Sequence, residues 1–507
     1  MNDLAEIYVS LTTAKKAASE EASTPTGSGD PPATTLTTGA PGSVGPARWS
    51  ELLQGRNLGR TLVLSGGVAV HAVYIYIVAT ILPQIVGDIG GVDYFAWSTT
   101  LFMVGSIVGS AAAAALECRS GPVKAYRWAL SLFAVGSLLC ALAPAMLIFV
   151  AGRFLQGLGG GLLPALAYTT IRQIFEARLH AKAISLVSGV WGISALVGPL
   201  AGGLFAASHA WRGAFWMAVP LCMVFAVVIT RVLPVRSAWD VGRPTVPAVR
   251  LALLAMAALA ISAGSIFGRT LEAIIGIVVA VALAAVLLRL EDRSSHRLFP
   301  REIGRPRQEL GVISSTMLLL TLGSSAMAFL PYFLIEIFGV QALTAGYIVA
   351  LEAIGWTATA LLTSSVSPRH VGKLMLLSPL VMILAAGSLI ASVYAGTVAG
   401  ISIAMALTGV SMGLAWAHYG NRMIEIAQPQ ERPLAATFLS TSQLLGTAFG
   451  AALAGMVVNL AGLPHATTAG EMRHAAVILF SVFSAAPLLA AALCVLSKHF
   501  RFSAKEV

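Results

Sequence analysis

The chain has 507 residues, of which 57% are hydrophobic and only 11% charged, and its mean hydropathy is +0.83. A soluble domain carries about a quarter charged residues, so a water-soluble fold of this size could not hide so much apolar surface, and lipid must be the solvent for most of it. The formal net charge of +10 does not point to nucleic acid, because the basic residues punctuate the apolar runs instead of clustering on one segment, which is how membrane topology is written.

Residues 1–60 are polar and rich in Ser, Thr, Gly and Pro, above all from Thr24 to Gly45. Such a stretch cannot bury enough apolar area to offset its ordering entropy. It reads as a disordered tail, and it lacks the apolar core of a signal peptide. After Arg60 apolar runs follow one another, each long enough to cross a hydrocarbon layer of about 30 Å as a helix. The spacing predicts fourteen spans, at 62–86, 94–116, 125–142, 147–171, 183–205, 213–230, 251–268, 271–288, 310–338, 343–362, 374–394, 398–416, 434–460 and 475–496. Residues 498–507 form a second polar tail.

Charge tests that number independently. With an even number of spans both termini share one side, and basic residues should favour the tails and every second loop. Of the 32 Lys and Arg, Arg212, Arg269 and Arg473 fall in expected outer loops and Arg153 falls inside a span; the rest fall on the inner side. One span more or fewer would exchange the two sides from that point onward. Both termini are therefore expected to be cytoplasmic. Abundant Ala, Gly and Arg fit a bacterial gene rich in G and C, so the expected location is a bacterial inner membrane.

The fold class expected is an all-α polytopic membrane protein. The loops suggest a first six-helix bundle over 61–234, a linker with spans seven and eight over 235–309, and a second six-helix bundle over 310–497. Charged segments flank the two-helix insertion, from Arg231 to Arg250 and from Arg289 to Glu309. A weak internal repeat agrees. Arg119-Ser120-Gly121 with Lys124 follows span two, and Arg369-His370-Val371-Gly372-Lys373 follows span ten, the same place in each half. Transporters use parallel repeats of this kind.

Two motifs carry chemistry. Span four opens with Arg153-Phe154-Leu155-Gln156-Gly157-Leu158-Gly159-Gly160-Gly161. An arginine at the centre of a span costs roughly 2.5–3.5 kcal/mol on insertion scales, so Arg153 either faces a cavity or partner or snorkels to the interface. The glycines admit a neighbouring helix closely. Span five holds Gly189 and Gly192, then Gly198-Pro199-Leu200-Ala201-Gly202-Gly203. Proline bends a helix, and glycines at this density make a smooth face, so the segment suits a close-packed outer gate that blocks leak. Ordinary membrane-helix packing is the alternative.

The run R-F-L-Q-G-L-G-G-G, followed some forty residues later by G-P-L-A-G-G, resembles the major facilitator superfamily, and in particular its fourteen-span drug:proton antiporters. Ile77-Val78-Ala79-Thr80-Ile81-Leu82-Pro83 ends span one as in that family, Trp97 begins span two, and Trp211-Arg212 with Phe215 and Pro220 resembles the segment before span six. The resemblance covers roughly residues 62–496. It implies the major facilitator fold, with two six-helix bundles, a two-helix insertion, a central cavity and alternating access. It also implies that Arg153 and Gln156 belong to the motif linked to proton coupling, and that Gly198 to Gly203 belong to the antiporter motif. Two departures stand out. Where the family usually has an acid in span one, this chain has Tyr74. In the loop after span two, usually D-R-x-G-R-K, Arg119 and Gly121 fit, Lys124 keeps the basic end, and the acid is displaced to Glu117.

With span one lacking the acid, the proton is expected at Glu352, well within span ten, because a carboxyl group removed from water favours its neutral, protonated form. Glu336 nearer the outer end of span nine and His71 in span one are further candidates; an interfacial role and a hydrogen-bonded neutral imidazole are their simpler readings. Tyr74, Tyr76, Tyr168, Trp191, Trp356, Trp416, His418 and Gln443 are expected to shape the cavity, although aromatic residues also mark membrane interfaces. Asp88 and Asp93 fall in the first outer loop and read as solvated. Cys118, Cys140, Cys222 and Cys494 are scattered and show no metal spacing.

No cofactor or metal is expected. The partners expected are protons, the lipid bilayer and a small lipophilic substrate, with no nucleic acid and with the chain as a monomer. The leading function is proton-coupled export of lipophilic or amphipathic compounds; a dedicated exporter of a lipid, siderophore or other metabolite is the alternative. An enzyme is disfavoured, since no G-x-S-x-G, H-E-x-x-H or phosphate-binding loop is present.

Overall fold

The computed structural model describes residues 49–233, 246–266, 269–294, 297, 299–305, 307–364, 366–429 and 431–497. Most of the expected N-terminal tail, the whole C-terminal tail and part of the linker before span seven lie outside the described residues. Among the described residues there is no β-strand. Lipid offers backbone groups no hydrogen-bond partner, so each apolar run satisfies its own N–H and C=O groups as a helix.

Fourteen helices are long and apolar enough to cross a membrane. They are α1 Gly55–Ile89, α2 Phe95–Ser120, α3 Pro122–Leu142, α4 Met146–Ile174, α5 His180–Ala207, α6 Trp211–Val232 and α7 Ala248–Ser265. They continue as α8 Thr270–Arg293, α9 Glu309–Phe338, α10 Ala342–Thr363, α11 Pro368–Ala395, α12 Val398–Ile426, α13 Arg432–Leu460 and α14 Ala469–Leu496. The end of the bundle at which α1 begins is called proximal here, and the opposite end distal.

Several helices overshoot their apolar runs at the proximal end. The expected tail to residue 60 gives way earlier, to a short helix Trp49–Leu52 and then to α1 from Gly55. The reason is a set of polar anchors at that end. Thr61 donates to the Leu52 carbonyl at 3.0 Å, Arg60 donates to the Ile174 carbonyl at 3.0 Å, and the Lys182 ammonium sits 4.7 Å from the Trp49 ring. Arg178, in the α4–α5 loop, donates to Glu176 at 2.7 Å and to Glu51 at 2.6 Å, and these bonds raise its pKa above the ordinary value.

α9 is a single span but not a single α-helix. It tightens to a 3₁₀ turn over Ser325–Phe329. Ser324 and Ser325 donate back to the Thr321 and Leu322 carbonyls, and Pro331 brings no N–H, so the chain leaves regular α geometry there.

The same helix pairings occur twice. α1 packs on α5, α2 and α3 on α4, and α3 on α6; in the second half α9 packs on α13, α10 and α11 on α12, and α11 on α14. Glycines bring the matching pairs close in both halves: a Cβ at Gly161 would strike the Ser106 carbonyl of α2, and one at Gly409 would strike the Glu352 carbonyl of α10. The weak repeat in the loops is thus a repeat of packing.

The core is asymmetric along the membrane normal. Distally, one apolar cluster runs through both halves, from Ile81, Phe95, Phe149 and Trp211 to Phe329, Phe333, Ile348, Ile401 and Phe480. Proximally, one cluster is built from the first six spans and the short helix before them, and a separate one joins α2 to α7, α8 and the second half. Distally the two halves share one core; proximally the first half keeps a core of its own, and the halves meet through α2.

Candidate functional site

Arg153 and Gln156 stand three residues apart on α4 and so share a face. Arg153 is 3% exposed, so it turns into the bundle and does not snorkel. Its guanidinium donates to the Gln156 side-chain oxygen, the Gln156 amide donates to Ser137 Oγ of α3 at 2.8 Å, and Ser137 donates to the Phe133 carbonyl at 2.8 Å. The guanidinium carbon also lies 4.0 Å from the Phe102 ring centroid of α2, a cation–π contact. His71 of α1 stacks on that same ring at 5.4 Å and meets Trp191 of α5 edge-on at 5.8 Å. Arg153 Nε and His71 Nδ1 have no hydrogen-bond partner among the described residues. A buried cation, an imidazole and two aromatic rings therefore form one cluster across four helices.

Glu352 lies on the second half's side of the centre, on α10. It is half-buried, and its carboxyl makes no hydrogen bond among the described residues. The Tyr76 phenol of α1 lies close enough to it to interact electrostatically. One turn further along α10, Trp356 packs on Trp416 of α12 with ring centroids 5.4 Å apart.

The glycines of α5 set its spacing against α1 within the first half and against α10 across the centre. Gly198 meets Tyr76 of α1; a Cβ at Gly202 would lie 2.9 Å from Thr80 Cβ, and one at Gly203 would lie 2.6 Å from Leu343 of α10. Gly346 of α10 answers from the other side, where a Cβ would lie 2.9 Å from Pro199. Gly192 is looser, 3.7 Å from the Thr357 hydroxyl, and Gly189 has nothing within 4 Å. The motif thus runs from tight contact at the distal end to open space at the proximal end.

Glu117 is fully buried at the proximal end of α2. It accepts from Thr169 at 2.5 Å, Thr170 at 2.9 Å and Gln173 at 3.0 Å, all on α4. Its bonds tie α2 to α4 within the first half. Arg119 and Lys124 are exposed on either side of Gly121, whose φ of +77° makes the sharp α2–α3 turn possible. Replacing Glu117 by Leu leaves three donors to find partners, each unmet one costing about 1–3 kcal/mol. Glu117→Leu is expected to lower the thermal midpoint of the purified protein markedly, while Glu117→Gln, which keeps one acceptor, falls between it and the parent in a thermal-shift assay.

Other residues stand elsewhere than the sequence suggested. Tyr74 does not line the centre: it is buried inside the first half, donating to the Ala214 carbonyl of α6 at 2.8 Å and packing edge-on against Phe133 at 5.3 Å. Glu336 is exposed at the distal end of α9. Tyr168 packs on the proximal cluster of the first half, and Gln443 and His418 are partly buried on α13 and α12. Asp88 is not simply solvated: Arg212 pairs with it at 2.5 Å and Trp211 Nε1 donates to it at 3.0 Å, so the Trp-Arg pair pins α6 to the end of α1.

Sequence reading missed Phe102 and Ser137, which carry no motif signal, and Asn459. The last had one, a lone amide in the apolar run Met456-Val457-Val458-Asn459. It donates to the Asp93 and Ser265 carbonyls, both at 3.1 Å.

Residues 64–421 match the family model of the Major Facilitator Superfamily. A Mycobacterium tuberculosis protein described as a "probable multidrug-efflux transporter" is 34% identical over 425 residues, covering 82% of this chain and 90% of that one. The multidrug transporter MdtP of Bacillus subtilis is 24% identical over 422 residues, covering 80% and 76%. Among solved structures, a D-xylose-proton symporter aligns with a TM-score of 0.60 at 16% identity over 87% of this chain and 97% of its own, and the POT family transporter PepTSo aligns with 0.61 at 14% over 88% and 99%. At those identities the structures speak for the fold alone. With fourteen apolar helices, a repeated packing pattern and a family model matching most of its length, the chain belongs to the major facilitator superfamily and is a multi-pass secondary transporter of small molecules.

Proposed function

We propose that the protein exports lipophilic or amphipathic compounds in exchange for protons, by alternating access, as a monomer in a bacterial inner membrane with both termini in the cytoplasm. On this reading the proximal end is the cytoplasmic one. Residues 61–234 and 310–497 are the two moving bundles, and 235–309 is an insertion between them. The observation that carries the proposal is the asymmetric core: a seal through both halves distally, a separate core of the first half proximally, and the unbonded carboxyl of Glu352 near the level where they part. That is the arrangement of a carrier open to the side from which cargo is collected.

Glu352 takes the role of proton carrier. Arg153, Gln156 and His71 form the cluster it answers to across the centre, and Tyr76, Trp191, Trp356 and Trp416 supply aromatic surface for an apolar cargo. The name of the Mycobacterium tuberculosis relative supports drug-like cargo. The positive-inside bias of Lys and Arg supports the orientation.

In proteoliposomes holding the purified protein, efflux of the lipophilic cation tetraphenylphosphonium is expected to rise steeply when a pH gradient is imposed that drives protons against the direction of cargo movement. Efflux indifferent to the gradient would overturn proton coupling. A dedicated metabolite exporter is the second reading, favoured by Tyr74: span one offers a buried phenol where related antiporters have an acid. It predicts a metabolite retained in cells lacking the gene, with drug sensitivity unchanged.

A further inference from the structure

The repeated packing makes two seams between the halves equivalent. α2 in the first half corresponds to α10 in the second, and α13 corresponds to α5, so the α2–α13 seam and the α5–α10 seam are related by the repeat. The α7–α8 hairpin breaks that equivalence. α7 packs on α8, α2 and α13. Leu251 and Leu254 of α7 meet Val104 and Ile107 of α2 and Leu445 of α13 around one small gap.

The hairpin is fastened at both ends. Distally, the Asn459 amide of α13 holds the Ser265 carbonyl of α7 and the Asp93 carbonyl just before α2. Proximally, Arg250 of α7 pairs with Glu291 of α8 at 3.1 Å, with both side chains largely buried. Between these ties the two backbones touch, since a Cβ at Gly264 would lie 2.6 Å from the Glu272 carbonyl. The outer face of α8, with Ile274, Val278 and Val281 more than half exposed, is left to lipid.

Among the described residues the other seam has no such cover. α5 and α10 touch distally through Gly203 and Leu343 and approach more loosely at Gly192 and Thr357; proximal of that level Gly189 faces open space. On the same two helices apolar side chains stand exposed: Ile193 is 64% exposed, Leu361 70% and Leu362 78%. An apolar opening at membrane depth, toward the proximal end of the protein, faces hydrocarbon and not water.

We infer that the α7–α8 hairpin is a lateral seal over the α2–α13 seam, and that the α5–α10 seam is the portal by which an amphipathic molecule passes from the proximal leaflet of the bilayer into the centre. The portal rests on the exporter reading for its cargo. The seal rests on packing alone. The two helices bear no charge at Gly189, Ile193, Leu361 or Leu362, so the seam admits a molecule already partitioned into lipid, tail-side first. A strongly hydrated solute gains nothing there.

The test uses the full chain in vesicles of phosphatidylethanolamine and phosphatidylglycerol, with a trace of phosphatidylethanolamine carrying a diazirine in its acyl chain. After illumination, labelled residues are mapped by mass spectrometry. Label is expected at Gly189 and Thr357 within the α5–α10 seam and not at Val104 or Ile107. Loosening the hairpin with Gly264→Leu is expected to bring label to Val104 and Ile107. Equal labelling of both seams in the unmodified protein overturns the inference.

A transport arm reads the portal directly. Gly189→Trp fills the gap and is expected to slow tetraphenylphosphonium efflux roughly tenfold, about 1.4 kcal/mol on the barrier, while Ile274→Trp on the outer face of α8 leaves it unchanged. Gly189→Trp without effect on efflux, in protein whose thermal midpoint matches the parent, overturns the portal. If the unmodified protein moves no tetraphenylphosphonium, the exporter reading fails instead, and the lipid-labelling pattern still decides the seal.

Discussion

Glu352→Gln is expected to abolish the response of efflux to a pH gradient while leaving cargo binding and thermal stability close to those of the parent. The substitution keeps the shape of the side chain and removes only its capacity to gain and lose a proton. Stability should hardly change, because the carboxyl makes no hydrogen bond among the described residues, and no bonded partner is orphaned when it is replaced. The functional effect is large because the coupling is all-or-none. One proton exchanged for one tetraphenylphosphonium cation moves no net charge, so the pH difference supplies the drive, about 1.4 kcal/mol per pH unit. Each unit supports roughly a tenfold gradient of the cargo. Removing the proton carrier removes that drive, so the steady cargo gradient should collapse toward unity. The measurement is tetraphenylphosphonium distribution in proteoliposomes at fixed pH difference, with binding followed separately by thermal shift. Gradient-driven efflux that survives in Glu352→Gln moves the proton site elsewhere, and His71 becomes the residue to examine.

Gly203→Leu should wedge the distal seal open. At Gly203 even a Cβ would stand 2.7 Å from Leu343 Cβ and 2.8 Å from Leu343 Cα. The Cα belongs to a helix backbone and cannot swing aside, so α5 and α10 must separate. Overpacking of this kind costs about 1–3 kcal/mol, and here it falls only on the distally closed state. A bias of that size shifts the balance between closed and open forms by roughly 5- to 150-fold. The sign is specific: transport falls because the closed form becomes scarce, and the distal side becomes more accessible. A cysteine placed at Ala345, buried in the distal core, in a background without the native cysteines, should react faster with a membrane-impermeant maleimide when Gly203→Leu is present. Gly189→Leu provides the contrast. It lies on the same helix but faces open space, and should leave distal labelling unchanged. Equal labelling with and without the wedge would falsify the gate assignment for the α5 glycines.

Much of this protein was legible from residue order. The number of spans and the membrane as solvent follow from hydropathy, because it is a property of segments and needs no knowledge of neighbours. Gly198, Gly202 and Gly203 were legible as a contact surface for the same reason: three absent side chains on one helix announce a close approach whoever the partner is. The tertiary structure supplied the partners, Tyr76, Thr80 and Leu343. It also decided matters of direction. Arg153 could have snorkelled or turned inward, and Ser137 and Phe102, from two other helices, give it an inward destination. Tyr74 is aromatic and near the motif, yet it faces Ala214 and Phe133 inside the first half, because the Tyr76 side of α1 faces α5 and α10. Asn459 looked like one polar residue at the end of a span until two carbonyls from distant segments met it. The unequal seams had no signal in the sequence at all. Apolarity says that a helix enters lipid, but hydrocarbon and a neighbouring apolar helix are nearly the same solvent to a side chain, so only packing settles which faces of α7, α5 and α10 meet protein and which are left to the bilayer.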